Sequence, residues 1–235
     1  MKQPLRALLA LTLVWLGTAG AHAQEEPRGI GAWYIYFADY GLSERLSIHH
    51  ETHLHFHGTL QGFNRFIVRP GVNYRLANGL VGSLVYSYMY SDPTFEDALP
   101  RGNRSDHLQE HRIMEQFVWR SPLGSFRFSH RLRIEQRFFN DEGERFTRHR
   151  LRYRALASRP LTRRLYANAD AEALLTPHQG GIWNYRLGAS LGVRLNPQVR
   201  LQAGYVRFFS PNGQDQRLKF ILLFNPDLRP KILQP

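Results

Sequence analysis

The chain has 235 residues and no cysteine. That excludes a disulfide framework and leaves no thiol for a lipid anchor. Long apolar runs are nearly absent too. Only Ala7 to Gly17 stays apolar over more than a few positions, and it is shorter than the roughly 20 residues a spanning helix needs, so no membrane-crossing helix is expected. Acidic residues are few, 19 against 31 Lys and Arg. Such a balance often signals nucleic acid, but these arginines recur at strand spacing along the whole chain, where a nucleic-acid binder would cluster them in a patch or on a helix. No nucleic-acid partner is therefore expected.

What is present begins with a processing signal. Lys2 and Arg6 precede the apolar run, and Ala21-His22-Ala23 stands before Gln24, the pattern of a secretory signal with an Ala-x-Ala cleavage site. The expectation is a signal peptide over residues 1–23 and one barrel domain over 24–235. Removing Lys2 and Arg6 leaves 29 basic against 19 acidic residues.

The stretch from Phe126 to Ala157 separates its side chains by parity. Arg127, Ser129, Arg131, Arg133, Glu135 and Arg137 alternate with Phe126, Phe128, Leu132, Ile134 and Phe138, only His130 and Gln136 breaking the apolar set. After Asn140-Asp141-Glu142-Gly143-Glu144, Arg148, Arg150, Arg152 and Arg154 alternate with Leu151, Tyr153, Ala155 and Ala157. A period of two marks strands whose faces meet different surroundings. Phe126 to Phe138 would extend roughly 40 Å at about 3.3 Å per residue, enough to cross a hydrocarbon layer of about 30 Å when tilted. Apolar parity facing lipid and arginine parity facing a closed lumen follow, because only a closed sheet satisfies its backbone in a membrane.

Alternating segments recur from Trp33 to Phe224, the weakest being Trp33 to Asp39. Connections around Asn78-Gly79, Ser121 to Gly124, Arg159 to Arg163 and Asn196 to Gln198 read as short; those after Tyr90, Phe139, Thr176 and Ser210 read as longer or more polar. Eleven segments emerge. Bacterial single-chain barrels have even numbers, so the expected fold is an all-β, antiparallel, up-and-down transmembrane β-barrel of 10 or 12 strands. Either Trp33 to Asp39 lies outside the wall or a strand hides within Ser91 to Asp106.

Glu135-Gln136-Arg137-Phe138-Phe139 followed by Arg150-Leu151-Arg152-Tyr153-Arg154 resembles the central signature of the bacterial family catalogued as domain of unknown function 2490. Trp33, Glu110-x-Arg112, and Asn184-Tyr185-Arg186 with Gly188 and Gly192 are similar to the family's pattern as well. The resemblance implies an exported, outer-membrane-type barrel of a Gram-negative cell and supplies no catalytic residues.

For function, Arg131, Arg133, Arg137, Arg148, Arg150, Arg152 and Arg154 form a candidate lumen site for anions. Glu135, Asp170 and Glu172 are the nearest ion-pair partners, with Glu51 and Glu110 further ones, and such pairing would plug a narrow interior. His53 and His55, two of the histidines alternating along Ser47 to His57, are weak candidates for a metal; no cofactor is expected. A membrane-embedded lipid hydrolase needs a His-x-Ser pair facing lipid, and none occurs. Ser47-x-His49 has lumen parity, Ser105-x-His107 lies at a loop end, and Thr147-x-His149 offers only a threonine. A soluble periplasmic lipocalin-like barrel would turn the apolar parity inward around a ligand. The expected partners are outer-membrane lipid, small anions in the lumen, and the barrel-assembly machinery during biogenesis.

Overall fold

The structure, a computed structural model, describes residues 30–91, 108–141, 144–177, 181–211 and 213–229. The expected signal peptide over 1–23, Ser105-x-His107, and nearly all of the Ser91 to Asp106 connection lie outside the described residues.

Eleven strands run in chain order: β1 (Gly31–Gly41), β2 (Leu46–Phe56), β3 (Phe63–Ala77), β4 (Leu80–Ser91), β5 (Leu108–Leu123), β6 (Phe126–Asp141), β7 (Glu144–Pro160), β8 (Leu165–Thr176), β9 (Ile182–Arg194), β10 (Val199–Ser210) and β11 (Gly213–Phe224). Each pairs with its sequence neighbours, and β1 pairs with β11 to close the barrel. Ten or twelve antiparallel strands were expected, and both the number and the uniform direction are corrected. An odd meander leaves its first and last strands pointing the same way. Closure therefore has to be parallel, and it runs from Gly31↔Arg217 to Ala38↔Phe224. Parallel bonds are slanted and slightly weaker per residue, but odd-numbered barrels do exist in mitochondria.

The weakness of β1 in the sequence has a simple origin. Trp33, Ile35 and Phe37 face the interior, while the opposite parity carries Ala32, Tyr34, Tyr36 and Ala38. With both faces apolar or aromatic, the period of two has nothing to contrast.

Elsewhere the two parities separate as the alternation requires. On β6, Arg133, Glu135 and Arg137 are buried, whereas Ile134 and Phe138 are exposed. On β2, His49, Glu51, His53 and His55 are buried and Ile48 and Leu54 exposed. Among the described residues, buried polar or charged side chains outnumber buried apolar ones by 23 to 11. The interior is thus charged and the exterior apolar, opposite to the facing a lipocalin-like barrel needs.

The connections define two ends. Those after β1, β3, β5, β7 and β9 span at most four residues, whereas the one between β4 and β5 runs from Ser91 to Leu108; the first set is called the turn end and the other the loop end. Gly79 and Gly124 take positive φ of 77° and 58° in two turn-end hairpins, a conformation that favours glycine. Two connections expected to be longer are in fact tight. Asp141 pairs with Glu144 and Ser210 with Gly213, because the polar residues there continue the strands beyond the apolar belt.

Candidate functional site

Glu135 sits on β6 between arginines of its own strand and of β5 and β7. Its Oε2 accepts from Arg150 at 2.7 and 2.9 Å, and its Oε1 from Arg152 at 3.0 Å. Arg112 and Arg133 stand at 3.6 and 3.9 Å. The register explains the cluster: Glu135 lies opposite Arg150 on one side and Met114 on the other, so neighbouring inward positions two residues away bring Arg152 and Arg112 into reach.

Four further carboxylates repeat the pattern. Glu110 accepts from Arg112 and Arg137, at 2.5–3.1 Å. Glu172 accepts from Arg152 at 2.7 Å and Arg131 at 2.8 Å, with Arg186 at 3.5 Å. Asp170 holds Arg154 at 3.3 Å and Lys219 at 3.4 Å. On β2, Glu51 accepts from Arg69 at 2.7 Å and from the ring nitrogens of His49 and His53 at 3.1 and 3.0 Å. Every one of these carboxylates is shared by at least two basic groups. That sharing keeps so many buried charges tolerable, since an isolated buried ion would cost several kcal/mol.

One contact crosses the lumen. Arg133 on β6 reaches within 3.8 Å of Glu51 on β2, although four strand positions separate the two along the wall. Its Nε and Nη2 also donate to Gln116 at 3.0 and 2.6 Å. This approach from wall to wall at mid-barrel narrows the lumen, leaving space beside it along β1 and β2.

All seven candidate arginines have inward parity. Arg131, Arg133, Arg137, Arg150, Arg152 and Arg154 join the carboxylates just named, while the Arg148 guanidinium lies 5.1 Å from the Phe146 ring centre. Glu135, Asp170 and Glu172 all serve as acceptors. Sequence reasoning missed Arg69, Arg112, Gln116, Arg186 and Lys219, which lie on other strands. The available signal was their shared inward parity, but parity does not tell which strands meet across a lumen. Gly188 and Gly192 also gain a reason. A Cβ on Gly188 would stand 2.8 Å from Asp170 Oδ1 and 2.9 Å from Lys219 Nζ, and one on Gly192 would enter the Tyr166 ring.

The weak metal candidates are placed unfavourably. The His53 and His55 rings are 5.6 Å apart, and His53 Nε2 lies 3.0 Å from Glu51 and 3.3 Å from the Arg69 guanidinium, whose charge would repel a cation. No group of three ligating side chains is found among the described residues. Ser47 and His49 both face inward, where Asn73 donates to Ser47 at 3.3 Å and His49 is bound to Glu51.

A cavity of about 730 Å³ opens toward the turn end and extends through the middle of the interior. Its rim includes Ser43, Arg75, Arg120 and Arg200, and it deepens along β1 and β2 to Trp33 and His55.

A family model described as a protein of unknown function, DUF2490, matches residues 30–219. The chain belongs to this family. The match covers β1 to β10 and the first half of β11, so both the ion-paired clusters of the lumen and the β1–β11 closure up to Lys219 fall within the DUF2490 region. A comparison with curated proteins finds no match.

Proposed function

We propose that this DUF2490 protein is an outer-membrane β-barrel, exported with removal of residues 1–23, whose interior is an ion-paired core closed to through-passage. The observation that carries the reading is the inverted burial: Glu110, Glu135, Arg112 and Arg133 lie inside at 0–2% exposure, while Leu84 and Leu191 on the outer face are 60% and 64% exposed. An apolar belt around a whole barrel far exceeds the patches that soluble monomers present to water, and hydrocarbon accommodates it. The closed ring leaves no strand edge unpaired, as a bilayer demands. Tyr40, Tyr74 and Trp119 near one end and Tyr86, Tyr88 and Tyr90 toward the other fit interfacial aromatic girdles. Biogenesis would then pass through the barrel-assembly machinery.

The bridge from Glu51 to Arg133 supports a structural interior over an open pore. Catalysis is not part of the proposal, since neither Ser47 nor His49 faces outward. Membrane fractionation followed by heat-modifiable migration on a gel tests the location; recovery of the mature protein in a soluble periplasmic fraction without detergent refutes it. Bilayer recordings test closure, with little conductance expected. Large cation-selective currents would overturn both the closure and the facing of the arginines.

A further inference from the structure

The turn-end cavity is not uniform. Most of its wall is polar, but the parallel seam lays down an apolar track, because Ile35 pairs with Ile221 and Phe37 with Leu223 in register and all four line the cavity. The track leads from the rim toward Trp33, which is in register with Lys219 on one side and His55 on the other.

At that deep end are buried donors without acceptors. The Trp33 indole Nε1 has no hydrogen-bond partner, nor has either ring nitrogen of His55, and His55 is 4% exposed. The two rings stack at 4.4 Å with planes 10° apart, and the Arg186 guanidinium stands 5.9 Å from the Trp33 ring centre. An indole N–H only donates, and either neutral imidazole tautomer keeps one N–H. A buried donor left unpaired costs about 1–3 kcal/mol, so a group that accepts from both is favoured. The surrounding charge selects its sign, since the basic side chains of Arg65 and Arg186 line the cavity together with Trp33 and His55.

We propose that the cavity takes a single-chain amphiphilic anion, which enters at the turn end, lays its apolar body along the β1–β11 seam, and sets its acid group against Trp33, His55 and Arg186. The volume lies within the roughly 300–1,000 Å³ of small-molecule sites, and Arg75, Arg120 and Arg200 at the rim draw anions inward. The proposal deepens the closed-interior reading, because a blind cavity holds a ligand where a pore would pass it. It does not depend on where the barrel resides.

The test is calorimetric titration of the full mature protein in zwitterionic lipid nanodiscs, with empty nanodiscs subtracted, or in plain buffer should fractionation find the protein soluble. The probes are decanoate, decyl phosphate, decanol and acetate. Both acids should bind at least tenfold more tightly than decanol and than acetate, and the stronger of the two identifies a carboxylate or a phosphate head. Trp33→Phe and His55→Phe keep the stacked rings but remove the donors, and each should weaken the acids about tenfold, the size of one hydrogen bond to a charged group, while leaving decanol unchanged. Heat-modifiable migration establishes that each variant is folded, and either variant alone suffices. Equal affinity for decanoate and decanol, or unchanged acid binding in a folded variant, overturns the proposal. Conductance is read separately, so a failed closure and a failed ligand site give different results.

Discussion

Neutralising Glu135 is the sharpest perturbation of the lumen. Glu135→Gln keeps shape and volume but removes the charge that faces two guanidiniums at 2.7–3.0 Å and two more within 4 Å. Arg152 retains Glu172, and Arg112 retains Glu110. Arg150 is affected most directly, because its Nε and Nη2 both meet Glu135 Oε2. Removing one partner of a buried ion pair costs about 3–5 kcal/mol, since the other charge stays behind without compensation. With a urea dependence of about 1–3 kcal/mol per molar, the unfolding midpoint should fall by at least about 1 M. The assay is a urea titration read by the heat-modifiable band and by tryptophan fluorescence.

Two companions isolate the cause. Glu115→Gln makes the same chemical change at an exposed, outward position between Leu84 and Ile134, where no such loss is expected. Glu135→Gln combined with Arg150→Met removes the facing charge as well and should recover part of the stability, a coupling of at least about 1 kcal/mol. If Glu135→Gln unfolds at the same urea concentration as Glu115→Gln, the buried network does not stabilise the barrel and the account of the lumen fails.

Leu132→Arg places a cation on the outer face and should cost about 2–4 kcal/mol near a bilayer midplane, whereas Arg133→Leu should cost less, because Glu51 and Glu135 keep their other partners; equal folding yields would refute the assigned facing. Gly188→Val should split the Asp170–Lys219 pair, whose atoms stand where the added Cβ would go, and lower the urea midpoint by an amount equivalent to about 1–3 kcal/mol of overpacking. A Gly188→Val protein as stable as the parent would show that the pair yields freely.

Alternation marks the wall in the sequence itself, and it is most readable where the two environments differ most. The β6 and β7 ladder of arginines against Phe, Leu and Ile needed no further information. β5 was readable only in part, because exposed Glu115 shares parity with Ile113, Phe117 and Trp119. The strand ends were misjudged at Asn140-Asp141 and Gly213 to Gln216, where polar residues on both faces look like loop although the backbone pairing continues. Of the lumen site, the residue types and their facing were legible. The carboxylates were legible as a set, but which arginine each one holds was not, since contacts such as Arg133 to Glu51 and Arg131 to Glu172 join strands that are not neighbours. His55 stood out only as a weak metal candidate and Trp33 only for its likeness to the family's pattern, because their joint meaning depends on β1 lying beside β2 with Trp33 opposite His55.

The odd strand number connects the closure to the shape of the interior. A parallel seam brings together two strands of one direction, and here both present apolar side chains inward at the same heights, Ile35 with Ile221 and Phe37 with Leu223. Charged residues dominate the opposite wall of β5 to β8, where Glu135 and Glu172 gather their arginines. The interior therefore has one side that packs tightly through ion pairs and one side whose aliphatic groups offer those pairs no partners, which is where the cavity remains open down to Trp33. The same parity sends the chain into the barrel at the loop end, at Gly31, and out at the turn end, at Phe224. In a membrane, Gly31 and Phe224 would then lie at opposite faces, which an even-stranded meander never requires.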